Sequence, residues 1–114
     1  MPNQQDPLDL MFHALSDPTR RGMVERLSRA PATVGELAEP LAMSLPSVMQ
    51  HLQTLEKSGL IRSQKAGRVR TCYAQPAALT VAEAWIKRHK AAWEDHLDRL
   101  ADYLEDTKPK GDAA

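Results

Sequence analysis

A chain of 114 residues is long enough for one domain with a modest core, and 42% hydrophobic, 26% charged and five aromatic residues fit a helix-leaning globular protein. Acidic and basic residues balance at 15 each, and a single cysteine excludes an internal disulfide, a Cys-based metal cage and a redox pair within the chain. No apolar run approaches the roughly 20 residues of a membrane span, and no signal peptide opens the chain, so a cytoplasmic location with no membrane partner is expected.

The balanced charge is unevenly spread. Residues 1–17 carry three acidic and no basic side chains, residues 18–75 nine basic against four acidic, and residues 76–114 six basic against eight acidic. Local charge decides whether a surface can neutralise phosphates. The middle of the chain is therefore the candidate for facing nucleic acid, with the acidic ends held away.

Residues 1–7 are polar, contain two prolines and are expected to form a disordered N-terminus before a single domain at 8–106. Leu8, Met11, Phe12 and Leu15 repeat at i, i+3, i+4 and i+7, the apolar face of a first helix. Asp17-Pro18 stops that helix and starts a second, with Asp17 as cap and Pro18 in the first helical position. The second helix buries Met23, Val24 and Leu27 and breaks before Pro31. Arg20, Arg21, Arg26 and Arg29 decorate its outer side, either as a solvated face or, for Arg20 or Arg21, as a phosphate contact.

The stretch 33–60, TVGELAEPLAMSLPSVMQHLQTLEKSGL, reads as a short helix, a turn of three or four residues and a longer helix. Thr33 with Glu36 makes a capping box, in which each side chain satisfies a backbone N–H left unpaired in the first turn. Pro40 ends or kinks the short helix because it lacks an N–H and disfavours helical geometry at Glu39. Ser44 caps the longer helix, Pro46 is tolerated in its first turn, and Gly59 supplies the left-handed residue that ends it. This is the plan of a helix-turn-helix, whose second helix, at 44–58, enters the DNA major groove.

In that helix Val48, Leu52 and Leu55 share the face that packs on the domain, while Pro46, Gln50, Gln53 and Lys57 share the opposite face. Glutamine can read adenine through a bidentate hydrogen bond, and Ser47 can serve base or phosphate. Leu45 and Met49 border this face, within reach of thymine methyls. A helix with Gln, Ser and Thr on its outer side can also be merely soluble.

Residues 60–64 and 69–73 alternate in the manner of strands around Lys65-Ala66-Gly67-Arg68, a hairpin with a glycine-bearing turn. Arg62, Lys65, Arg68 and Arg70 give residues 61–75 four positive charges and no negative one. A basic hairpin after a recognition helix is the wing of a winged helix, gripping the backbone beside the groove. An ordinary hairpin tip more often mixes its signs. Cys72 reads as a small filler thiol, with a redox sensor as the alternative.

Residues 77–106 contain neither Gly nor Pro. Ala82, Ile86, His89, Trp93, Leu97, Leu100 and Leu104 recur every three or four residues, with Trp85 flanking them. A stripe this long exceeds what a domain of this size covers, so a symmetric homodimer is expected. Residues 107–114 read as a loose tail.

Taken together, ALSDPTRRGMVERL at 14–27, the 33–61 stretch and the wing KAGRVRTCY at 65–73 resemble the ArsR-type winged-helix transcriptional repressors over nearly the whole chain. The resemblance implies a mainly α fold of about five helices plus a two-stranded wing at 62–73. It also implies a homodimer built from the first helix (Leu8, Met11, Phe12) and the last (Ile86, His89, Trp93, Leu97, Leu100, Leu104). Such a dimer binds an inverted-repeat, double-stranded operator and represses by blocking polymerase. By the same resemblance the base-reading positions are Leu45, Pro46, Met49 and Gln50; the family commonly has serine where Met49 stands. With the groove- and backbone-facing residues Ser44, Ser47, Gln53, Lys57, Lys65, Arg68 and Arg70, these make up the expected DNA-binding set.

Metal-sensing relatives keep cysteines where this chain has Thr33 and Gly35, or Asp-x-His and His-x-x-Glu where it has Pro76, Ala78, His89 and Ala92. The resemblance is thus to the metal-independent branch, with no cofactor or metal expected and no inducer named by the sequence. His89 and His96 are seven residues apart, roughly 10 Å along a helix, too far for one ion within a chain. A metal-sensing repressor with these histidines meeting across a dimer is one alternative, and a winged-helix protein-interaction module without DNA binding is another. No catalytic pairing of His with Cys, Ser or carboxylate at a nucleophile-like motif and no glycine-rich phosphate loop supports an enzyme.

Overall fold

The structure, a computed structural model, describes residues 6–107. The expected disordered N-terminus and loose tail fall mainly on residues 1–5 and 108–114, outside the described residues. Asp6 and Pro7 already belong to the first helix: the Leu8 N–H donates to Asp6 Oδ1 at 2.9 Å, and α1 spans Pro7–Leu15. A carboxylate cap followed by proline is a strong helix start, so the domain begins ahead of Leu8.

The order continues with α2 (Pro18–Arg29), β1 (Ala32–Thr33), α3 (Val34–Ala38), α4 (Leu45–Lys57), β2 (Ile61–Ala66), β3 (Val69–Ala74) and α5 (Ala77–Asp106). Five helices and the winged helix-turn-helix plan agree with the sequence reading. The sheet does not stop at the hairpin: it has three antiparallel strands in the order β1-β3-β2, with Ala32 opposite Cys72 and Thr33 opposite Thr71. A two-residue strand is too short to show alternation, which is why only the hairpin was legible.

The turn of the helix-turn-helix is also longer than expected, six residues from Glu39 to Ser44. Glu39 closes α3 with its N–H on the Gly35 carbonyl, and Pro40, with no N–H to donate, prevents a further turn. The wing turn is shorter than expected. Ala66 pairs with Val69, so only Gly67 and Arg68 lie outside the ladder, and Gly67 has φ 64°. Glycine with positive φ at the first of two loop positions matches the right-handed twist of the flanking strands.

Residues Met1–Ala82 form one compact unit and Glu83–Ala114 a second, with α5 passing through the boundary. The core lies in the first unit and joins Met11, Ala14, Met23, Leu27, Leu37, Val48, Leu52, Leu55, Leu60, Ile61 and Cys72. Met11 is therefore interior: with 2% of its surface exposed it offers nothing to a second chain, which removes it from the expected dimer surface. Leu8 packs against the same core from its edge, and Phe12 is exposed.

Three arginines of α2 are engaged by backbone carbonyls. Arg20 donates through Nε to the Ala14 carbonyl at 2.7 Å and through Nη2 to the His13 carbonyl at 3.1 Å. Arg21 donates to the Leu15 carbonyl at 2.7 Å, and Arg26 to the Glu36 carbonyl at 2.6 Å. Cations on carbonyls that a helix end leaves unpaired satisfy both the hydrogen bond and the helix dipole. These side chains tie α2 to the end of α1 and to α3.

Two carboxyls are held below their ordinary range by the helix starts they cap. Asp17 is lowered chiefly by the Arg20 backbone N–H, and Glu36 by the Thr33 backbone N–H and then the Thr33 hydroxyl. A carboxyl depressed in the folded state contributes stability above its unfolded-state value, and that contribution is lost as pH falls through the folded value. Thermal unfolding of the wild type should therefore show a declining acid limb below about pH 4.5, which Glu36→Gln flattens while keeping the capping box. Leu55→Ala, in the fully buried face of α4, should cost about 2–5 kcal/mol in urea unfolding.

Candidate nucleic-acid interface

The geometry of α4 follows from its two faces. Val48 and Leu55 have no exposed surface and Leu52 has 4%, and they pin the helix against α1, α2 and the sheet. With 100° between successive residues, Pro46, Gln50, Gln53 and Lys57 are then turned to the opposite side, where all four are exposed. Leu45 beside them is 56% exposed, a large apolar side chain that the core does not use. Met49 is half-buried against the core, so it divides its side chain between the interior and the outer face.

The start of α4 is tightly capped. Ser44 Oγ accepts from the Ser47 backbone N–H at 3.3 Å and donates to Ser47 Oγ at 3.0 Å. At the other end Ser58 Oγ donates to the Leu55 carbonyl at 2.6 Å, and Gly59 turns the chain with φ 85°. A side chain at Gly59 would be strained by that conformation. The middle of α4 is fastened to α2, because Arg20 Nη1 lies 3.1 Å from His51 Nδ1. A guanidinium only donates, so His51 accepts there and carries its proton on Nε2.

Beside α4 stands the wing. Lys65 and Arg68 are exposed, and among the described residues the ion pairs all lie on α5, none in the wing. The Arg62 guanidinium lies 4.4 Å from the centre of the Tyr73 ring, its cross-strand partner. Arg70 differs again: it is half-buried, and its Nη1 donates to Ser63 Oγ at 2.7 Å, while Ser63 donates to Glu56 Oε1 at 2.5 Å. Neither the Ser63 and Glu56 link nor the Arg62 stack was foreseen. Counting back from a two-residue turn at Gly67-Arg68 would have paired Arg62 with Tyr73, whereas nothing in the sequence marks Ser63.

Together these elements present a concave surface. One hollow is lined by Pro46, Ser47, Met49, Gln50 and Gln53, and another by Thr33, Val34, Gly35, Lys65, Arg68, Val69 and Arg70. Thr33 and Gly35, where metal-sensing relatives keep cysteines, hold a helix start here: Thr33 Oγ1 accepts the Glu36 N–H at 3.1 Å and Glu36 Oε1 the Thr33 N–H at 2.9 Å.

In the second unit, α5 leaves a run of large apolar side chains exposed: Ile86, Trp93, Leu97, Leu100, Tyr103 and Leu104, with Trp93 at 73%. Three pairs, Glu83 with Lys87, Lys90 with Glu94 and Asp95 with Arg99, brace the helix at i, i+4 spacing. Such exposed pairs contribute only about 0.3–0.5 kcal/mol each. His89 stacks on Trp85 at 4.1 Å between ring centres, and its Nδ1 donates to the Trp85 carbonyl at 2.8 Å. Among the described residues no three His, Cys, Asp or Glu side chains converge as a metal site would require.

A recognition-type helix with an apolar inner face and an amide-bearing outer face, followed by a cationic hairpin, defines the winged helix-turn-helix class. Residues 15–64 match a helix-turn-helix domain family model. Over 80 residues the chain is 40% identical to the HTH-type transcriptional regulator Rv2034 of Mycobacterium tuberculosis, covering 70% of this chain and 75% of that protein. It is 36% identical over 58 residues to the transcriptional repressor SdpR of Bacillus subtilis, covering 51% and 64%. The crystal structure of the ArsR family transcriptional regulator RHA00566 superposes with a TM-score of 0.76 at 50% identity, covering 82% of this chain and 97% of that one. The chain belongs to the ArsR family of winged helix-turn-helix transcriptional regulators, which are DNA-binding proteins and not enzymes.

The one cysteine is poorly suited to sensing. Cys72 is 1% exposed, and burial, followed by the nearby Glu56 carboxylate, pushes its thiol up, against a weaker opposing pull from Arg70. The thiolate is the reactive form. Alkylation at neutral pH should therefore be slow in the folded protein and rapid in denaturant, followed by mass spectrometry; fast stoichiometric labelling of the native chain would revive the redox reading.

Proposed function

We propose that the chain acts as a homodimeric, sequence-specific repressor on an inverted-repeat operator, with α4 in the major groove and the wing on the flanking backbone. The observation that carries this reading is the division of α4. Three buried anchors face inward, and Pro46, Gln50, Gln53 and Lys57 face outward beside two exposed, unpaired wing cations. Gln50 and Gln53 present amides that match the edge of adenine, Leu45 and Met49 supply apolar contact for thymine methyls, and Ser44 and Ser47 lie at the helix start. Lys65 and Arg68 contact phosphates, which fixes register without reading sequence.

The homodimer reading rests on the stripe of α5. A helix exposing Ile86, Trp93, Leu97, Leu100 and Leu104 to water loses the hydrophobic contribution of each. A second copy covers the stripe with the same stripe, joined by His89 and by Leu8 and Phe12 of α1, and two-fold symmetry then demands an inverted repeat in the DNA. Repression follows from occupancy, since a dimer seated on a promoter excludes polymerase; the relative described as a repressor supports that sign. A soluble regulator of this kind works in the cytoplasm.

Selection of bound duplexes from a random pool tests the reading, and an enriched inverted repeat is expected. The logarithm of affinity should fall with the logarithm of salt by about 0.9 for each phosphate neutralised. Lys65→Ala and Arg68→Ala should weaken binding to all sequences alike and each lower that slope by about 1, whereas Gln50→Ala should relax preference at one position by about 1–3 kcal/mol. Salt-independent binding, or no enriched sequence, would contradict it. In sedimentation, Trp93→Glu should shift the protein to monomer and weaken operator binding with it.

A further inference from the structure

Three side chains from three elements form a continuous hydrogen-bonded chain across the seam between α4 and the wing. Glu56 belongs to the last turn of α4, Ser63 to β2 and Arg70 to β3. Arg70 Nη1 donates to Ser63 Oγ at 2.7 Å, and that hydroxyl gives its single proton to Glu56 Oε1 at 2.5 Å. A hydroxyl has one proton and two lone pairs, so a cation on one side and a carboxylate on the other orient it in one direction, with charge assistance at both ends. The same three side chains, together with Met49, Leu52, Gln53, Ile61 and Cys72, line a cavity of about 160 Å³.

The other wing cations lack this arrangement. Lys65 and Arg68 are exposed and unpaired, and Arg62 rests on Tyr73 within the hairpin. Among the four, Arg70 alone is linked to the recognition helix by these bonds. The relay uses one of the five N–H groups of a guanidinium, so four remain for a phosphate.

We propose that Ser63 and Glu56 are positioning residues of the DNA interface: they hold the Arg70 guanidinium at the seam so that it meets a backbone phosphate when α4 sits in the groove. The inference rests on the DNA-binding reading above and adds a division of labour to it. Lys65 and Arg68 are flexible phosphate contacts, whereas Arg70 is ordered before DNA arrives and links the register of the wing to that of α4. Pre-ordering one long side chain is worth roughly threefold to tenfold in affinity, the loss otherwise incurred on immobilising it.

Ser63 is the better variable, since its replacement changes no charge, whereas removing Glu56 also removes a repulsion toward phosphate. The test is a double-mutant cycle of Ser63→Ala and Arg70→Ala, with Ser63→Thr alongside. Binding to a mixed-sequence DNA duplex is measured across a salt series, and thermal unfolding is recorded in parallel. Ser63→Ala should weaken binding roughly threefold to tenfold, Ser63→Thr should restore it by keeping the hydroxyl, and Ser63→Ala should add nothing once Arg70 is alanine. An equal loss in both backgrounds, an unchanged affinity for Ser63→Ala, or a threonine variant as weak as the alanine one overturns the relay alone. Wild-type protein that binds no duplex at any salt overturns the DNA-binding reading and the relay with it.

Discussion

The burial of Val48, Leu52 and Leu55 is the constraint on which the rest of this domain depends. Once those three side chains are inside, the rotation of α4 about its axis is set, and every outward residue is set with it. A slip of one position would turn Gln50 by 100° and bring Met49 or His51 into its place. The surrounding bonds oppose such a slip. Ser44 and Ser58 hold the ends of the helix, and Arg20 reaches from α2 to His51 in its middle. The exposed side of the helix, proposed here to face DNA, is thus defined from its buried side.

Charge follows a similar logic. The chain is neutral as a whole, yet its cations fall into groups with distinct work. Arg20, Arg21 and Arg26 are bonded to backbone carbonyls and serve the packing of the first three helices. Lys87, Lys90 and Arg99 of α5 pair with acidic neighbours one turn away. Lys65 and Arg68 remain exposed on the wing without a counter-charge, and Arg70 is held toward α4. Counting charges places the basic excess in the middle of the chain, but only bonding partners separate cations that hold the fold from those available to phosphate.

Much of this was legible in the sequence because strong local signals agree with one another. The Thr33 and Glu36 capping box, Ser44 before a proline-bearing first turn, Gly59 after the last turn and the uninterrupted helix at 77–106 are all found where spacing puts them. What escaped is non-local or short. β1 has two residues and acquires meaning only beside β3. Met11 sits on the same helical stripe as Leu8 and Phe12, and periodicity cannot say which member of a stripe the protomer keeps for its own core. Ser63 and Glu56 meet only through the docking of the hairpin on α4, a relation that no spacing encodes. Likewise Arg20, Arg21 and Arg26 read as a solvated face along the sequence and are bonded to backbone carbonyls in the fold.

In the proposed complex the outer side of α4 and the adjacent wing form the DNA-reading surface. NMR titration of isotopically labelled protein with its selected duplex tests this most directly, because the side-chain amides of Gln50 and Gln53 report on their own surroundings. Large shifts are expected for those amides and for the backbone around Ser44, Pro46, Lys65 and Arg68, with the α2–α3 side little changed. Shifts confined to α2 and α3, with the Gln50 and Gln53 amides unmoved, would contradict it.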